Sequence, residues 1–137
     1  MRALLLALAL SACASAPPSE PAPPQLPQRA GYDPIVAARA EGVDFRGAGA
    51  GFVLEIFRVD RIRLTLTDTG EVLEFPKPEP QYPRWNGTIY SSHSSAHALT
   101  VMIRDDRPCQ TTDASLYPTG LEVDLDGRQL TGCGRRL

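Results

Sequence analysis

Two histidines and four serines crowd one short stretch of the chain, Ser91-Ser92-His93-Ser94-Ser95-Ala96-His97. His93 and His97 stand four residues apart, a spacing that brings two imidazoles to one metal ion when the backbone is helical. The residues that follow alternate instead, so the stretch is expected to be a loop entering a strand, where the rings diverge. The serines could act as nucleophiles only with a base and an orienting acid converging on them, and no Gly-x-Ser-x-Gly elbow is present. Glu55, Glu71, Glu74, Glu79, Asp105 and Asp106 fall by pattern at strand ends or on exposed faces, so no carboxylate pair stands out for glycoside cleavage. The expectation is a protein that is not an enzyme, with no catalytic residue, no metal site and no cofactor.

The three cysteines carry more information. Cys13 closes Met1-Arg2-Ala3-Leu4-Leu5-Leu6-Ala7-Leu8-Ala9-Leu10-Ser11-Ala12, a stretch with one positive charge, an apolar run and then small residues. That run is far shorter than the ~20 residues a helix needs to cross a bilayer, and it has the form of a secretory signal. Leu10-Ser11-Ala12-Cys13 resembles the bacterial lipobox, which implies cleavage before Cys13 and lipidation of its thiol. Ala14 in the next position then implies sorting to the outer membrane. Each buried acyl CH₂ contributes about 0.8 kcal/mol, so several chains on Cys13 would hold the protein at a membrane. In an oxidising compartment the remaining pair, Cys109 and Cys133, is expected to form a disulfide. The loop it closes corresponds to about 3.5 kcal/mol in the chain-entropy treatment.

Residues 1–12 are therefore expected to be a lipoprotein signal peptide, 13–31 the lipidated cysteine and a linker, and 32–137 a β-rich domain. Ala-Pro-Pro-Ser-Glu-Pro-Ala-Pro-Pro, from Ala16 to Pro24, cannot bury a core and favours extended polyproline conformation. The net charge is -2, from 14 basic and 16 acidic residues. No basic face is expected on such a chain, which argues against a nucleic-acid partner. Arg135 and Arg136 read as a solvated end.

Asp33, Pro34 and the alanines that follow suit an N-cap, a first helical turn and a short helix ending at Gly42. Ile35 and Val36 are expected to dock it on the domain. Beyond it the hydrophobic period changes to two. Eight strands are expected: 43–47, 51–58, 61–67, 71–76, 86–92, 97–104, 120–125 and 128–133. Asp126-Gly127 is a two-residue hairpin signal that would set Leu125 opposite Arg128 and Val123 opposite Leu130. Gly47, Gly49 and Gly51 are expected in a tight turn or bulge. The fold class is all-β, a small antiparallel barrel or closed sandwich of about eight strands with one short N-terminal helix and one disulfide.

One connection is longer than a hairpin needs: Phe75-Pro76-Lys77-Pro78-Glu79-Pro80-Gln81-Tyr82-Pro83-Arg84-Trp85-Asn86-Gly87. Stiffened by prolines, it carries Lys77, Tyr82, Arg84 and Trp85, residue types that form interface centres at low ordering cost. It is either a partner-binding loop or a lid over one end of the barrel.

The C-terminal pattern Ala96-His97-Ala98-Leu99-Thr100-Val101 through Cys109, then Leu116-Tyr117-Pro118 and Leu121 to Gly134, resembles a family of small bacterial envelope lipoproteins of unknown function. The likeness runs upstream to Tyr32 and the family is loosely similar to META-type and membrane-bound lysozyme-inhibitor lipoproteins. The resemblance implies a β-rich fold. The chain departs from it at Gly47–Phe52 and Thr111–Ser115. Two functions are expected from these observations. One is a non-enzymatic envelope binding protein, such as an inhibitor of lysozyme or another cell-wall hydrolase. The other is a structural or stress-related lipoprotein whose barrel takes up a small apolar or cell-wall-derived ligand. The partners would be the membrane, through the lipid, and an envelope protein or small ligand.

Overall fold

The structure is a computed structural model that describes residues 33–111 and 116–137. Cys13, the signal segment and the proline-rich linker lie outside the described residues, as do 112–115 of the Thr111–Ser115 departure.

Asp33 caps α1 (Pro34–Ala40), its carboxylate accepting the Ile35 N–H at 2.8 Å, and Gly42 with φ 89° ends the turn that follows. Ten strands come after it: β1 (Val43–Gly49), β2 (Phe52–Phe57), β3 (Arg61–Leu66), β4 (Glu71–Pro76), β5 (Gly87–His93), β6 (Ala98–Arg104), β7 (Cys109–Gln110), β8 (Leu116–Tyr117), β9 (Thr119–Leu125) and β10 (Arg128–Arg136). Eight of them form one antiparallel sheet in the order β4-β3-β2-β1-β10-β9-β6-β5. The sheet rolls until its two edge strands approach each other, and the Ser92 hydroxyl donates to the Pro76 carbonyl at 2.5 Å across the seam. The all-β, barrel-like expectation holds, with two additional short strands, β7 and β8, forming a hairpin outside the main sheet.

Alternation explains the interior. Phe52, Leu54 and Ile56 of β2 and Ile62, Leu64 and Leu66 of β3 face inward, and Leu99, Val101 and Ile103 of β6 meet Leu121, Val123 and Leu125 of β9. An eight-stranded barrel is about wide enough for side chains to fill. Here Phe45, Phe52, Phe75 and Tyr90 join the aliphatic residues in one continuous cluster. Asp126-Gly127 makes the expected turn, with φ of 54° and 86°, and sets Arg128 opposite Leu125 and Leu130 opposite Val123.

Two local expectations are corrected and a third is made more specific. Val36 is 61% exposed, whereas Ile35 is half-buried beside β1 and β10, and the buried anchor of the helix is Ala38, which packs with Val43 and Phe57 on the outside of the barrel. A shift of register between Val43 and Phe45 makes this possible, because a bulge turns Val43 to the helix while Phe45 enters the interior. Gly47 and Gly49 are not turn residues: they face Gly134 and Gly132 across the β1–β10 pairing, and only Gly51, with φ 83°, serves the turn. A Cβ on Gly47 would overlap the Leu121 side chain, and one on Gly134 would overlap the Phe45 ring. Large side chains thus fill the space left at Gly47 and Gly134, while at Gly49 and Gly132 the backbone of the neighbouring strand comes closest. Arg135 and Arg136 are exposed, as a solvated end requires, but they lie within β10, and Arg136 gives Nη2 to Asp105 at 2.9 Å.

Candidate functional site

The long connection between β4 and β5 runs along the seam of the barrel. Gln81 pairs with Ile89 in both directions at 2.9 Å, N–H to carbonyl each way, so the segment covers part of the open edge of β5. An uncovered edge would offer unpaired backbone groups to another chain. Lys77 fixes the beginning of this strap, its ammonium donating to the Phe57 carbonyl at 2.9 Å and the Arg58 carbonyl at 3.0 Å. Trp85 fixes the end. Its half-buried ring lies under the Arg104 guanidinium, 4.1 Å from centroid to Cζ, and against Gly87, where any Cβ would strike it.

Arg104 is itself held. It gives Nε and Nη2 to Asp106 at 3.0 Å each, and that bond keeps the Asp106 carboxyl below the usual aspartate range. Of the four residues expected on the strap, Lys77 and Trp85 are thus engaged with the barrel, while Tyr82 is 76% exposed and Arg84 is exposed. The solvent-facing part of this surface is Tyr82 and Arg84, carried on a segment pinned at both ends. Such a platform presents an aromatic ring and a cation with little ordering left to do on binding.

The histidine and serine stretch is a turn. The Ser94 hydroxyl accepts the His97 N–H at 3.1 Å, and the Ser94 N–H donates to the His97 carbonyl at 2.8 Å. His97 then reaches across to the neighbouring turn, Nδ1 standing 2.6 Å from Oδ2 of Asp126, while the other carboxylate oxygen accepts the Ala98 N–H at 2.8 Å. His93 is exposed at the end of β5, and Ser92 is turned into the seam. Among the described residues no group of three histidines, cysteines, aspartates or glutamates is placed to hold a metal ion.

The carboxylates depart from expectation at one position. Glu55 lies mid-strand with its side chain only 16% exposed, between Arg46 and Arg63 on the outer face of the barrel. Cys109 and Cys133 form the disulfide, which ties the β7–β8 hairpin to the outside of β10. Sequence reasoning missed Arg46, Arg135 and Tyr117, which gather beside that disulfide. The first two become neighbours only through the pairing of β1 with β10. Among the described residues the interior is occupied by the phenylalanines and aliphatic residues of the core. A ligand inside would have to displace them.

No protein family, characterised protein or solved structure matches this chain.

Proposed function

We propose that the chain is a bacterial envelope lipoprotein, anchored in the outer membrane by lipid on Cys13 and carrying a non-enzymatic binding domain on a proline-rich spacer. The single observation behind this reading is the Cys109–Cys133 disulfide in a chain that also bears the Leu10-Ser11-Ala12-Cys13 tetrad. Disulfides persist outside the reducing cytoplasm, so the bond and the tetrad point to the same compartment by independent chemistry. The domain faces the periplasm and binds through the Tyr82 and Arg84 surface of the strap. Its partner class is a cell-wall hydrolase such as lysozyme, which the domain inhibits. Support for a protein partner comes from the exposed aromatic and cation on a pinned segment, a combination enriched at the centres of interfaces.

The test is a lysozyme activity assay with the purified chain, wild type against Tyr82→Ala with Arg84→Ala. Inhibition that the double substitution abolishes supports the proposal. Absence of inhibition, or inhibition untouched by the double substitution, removes it.

A further inference from the structure

The outer face of the barrel carries a ladder of charge. Register places Arg135 of β10 opposite Arg46 of β1, Arg46 opposite Glu55 of β2, Glu55 opposite Arg63 of β3, and Arg63 opposite Glu74 of β4. From Glu74 to Arg46 the signs alternate, as cross-strand pairs require. Glu55 serves two arginines, with Oε2 at 3.2 Å from Arg63 Nη1 and Oε1 at 3.5 Å from Arg46 Nε. Glu74 likewise serves Arg61 at 3.7 Å and Arg63 at 3.5 Å. At Arg135 the alternation breaks. Two arginines are cross-strand partners where the pattern calls for an acid, and like charges directly opposite one another repel.

These two arginines line a groove of about 320 Å³ between α1, β1, β10 and the β8 strand, together with Ile35, Tyr117 and Cys133. Among the described residues no carboxylate lies within ion-pairing distance of Arg135, whose guanidinium instead stacks over the Tyr117 ring at 4.5 Å. Stacking leaves the edge of the guanidinium, with its N–H donors, open to a further partner. Among the described residues, the buried Arg46 Nε has no hydrogen-bond partner and Arg46 makes one ion pair, the 3.5 Å contact to Glu55. The rest of the lining is mixed, with Pro34, Ile35 and Ala48 apolar and Thr111 polar. The disulfide holds Tyr117 in place, since Cys109 is paired with Tyr117 in the β7–β8 hairpin and bonded to Cys133 on β10.

We propose that this groove is a binding site for the oxyanion of a small ligand, a carboxylate or phosphate, held between Arg46 and Arg135 with Tyr117 and Ile35 against its apolar part. Guanidinium forks match both anions geometrically. The volume is at the lower end of the range for small-molecule sites, which restricts the ligand to a compact body. An anion here supplies the missing sign in the ladder. The site is separate from Tyr82 and Arg84, and it stands or falls independently of the strap's role.

The experiment is a titration of the ¹⁵N-labelled full chain followed by amide chemical shifts, with three probes: N-acetyl-alanyl-alanine, its C-terminal amide, and inorganic phosphate. Saturable shifts at Arg46, Ala48, Tyr117 and Arg135 from the free carboxylate but not its amide support the proposal and identify a carboxylate source. Saturation by phosphate alone supports it and identifies a phosphate source. Substituting Arg46→Gln with Arg135→Gln should weaken either at least roughly tenfold, as loss of charge-assisted hydrogen bonds requires. Arg135→Glu guards against a folding artefact: it restores the alternation at the cost of the stack on Tyr117, so it should abolish binding while keeping a cooperative unfolding transition. No saturable shift at these residues from any probe at tens of millimolar, shifts that survive the double substitution, or binding that survives in Arg135→Glu would overturn it.

Discussion

His97 and Asp126 belong to two different hairpin turns, and they meet: His97 Nδ1 lies 2.6 Å from Asp126 Oδ2. The β6–β9 pairing brings the turns together, and Asp126 also accepts the Ala98 N–H while its own N–H donates to the Ala98 carbonyl at 3.0 Å. The backbone bond from Ala98, and secondarily the bond with His97, hold the Asp126 carboxyl below the usual aspartate range. A carboxyl depressed in the folded state contributes stability that is present above its unfolded value, about 3.9, and is lost as pH falls through the lower folded value. Asp126→Asn tolerates the positive φ but removes the charge. It should lower the melting temperature at neutral pH, with the difference from wild type shrinking as pH drops below about 4. A difference that does not change with pH would contradict this assignment.

Removing the disulfide should cost about 3.5 kcal/mol in urea unfolding, since the bond spans 24 residues of sequence and closes a correspondingly long loop. The matched variant is Cys109→Ala with Cys133→Ala. Its loss should be largest at the β7–β8 hairpin, read as faster amide exchange at Tyr117 than at Val123 in the core.

Gly134→Ala should destabilise the chain by about 1–3 kcal/mol, because the new methyl group overlaps the Phe45 ring at the β1–β10 crossing. Thr131→Ala on the exposed side of the same strand is the control, expected within about 0.5 kcal/mol of wild type. Equal effects at the two positions would mean that the close approach of β1 and β10 is absent.

The strap residues should separate into two groups. Lys77→Met deletes two hydrogen bonds to carbonyls and should cost about 1–2 kcal/mol. Trp85→Ala should also destabilise, through lost burial and the lost contact with Arg104. Tyr82→Ala and Arg84→Ala should leave the denaturation midpoint nearly unchanged, because both side chains face solvent. A large stability loss at Tyr82 would place it in the fold and not in a binding surface.

Much of the fold was legible because period two is a strong signal where one face is buried, as in Arg61–Leu66 and Thr119–Leu125. The Asp126-Gly127 turn was legible for a related reason, since few residues accept its backbone angles. Other features depend on which strand lies beside which, and no local pattern carries that. Arg46 and Arg135 are 89 residues apart and become neighbours only when the first strand closes on the last. The role of Gly47 was hidden in the same way, because its neighbour Leu121 comes from β9. Val36 failed as a docking residue because the helix is so short that one small buried side chain, Ala38, anchors it. In the strap, residue type alone could not tell Trp85, which is covered by a distant arginine, from Tyr82, which is not.

The most direct measurement of the central claim is the intact mass of the mature protein extracted from the membranes of a bacterial host. The account predicts a chain that begins at Cys13, heavier than its peptide mass by several fatty-acyl groups and a glycerol linkage, and lighter by two hydrogens for the Cys109–Cys133 bond. An unacylated chain that retains Met1, or one in which Cys109 and Cys133 both react with a thiol reagent before reduction, would contradict it.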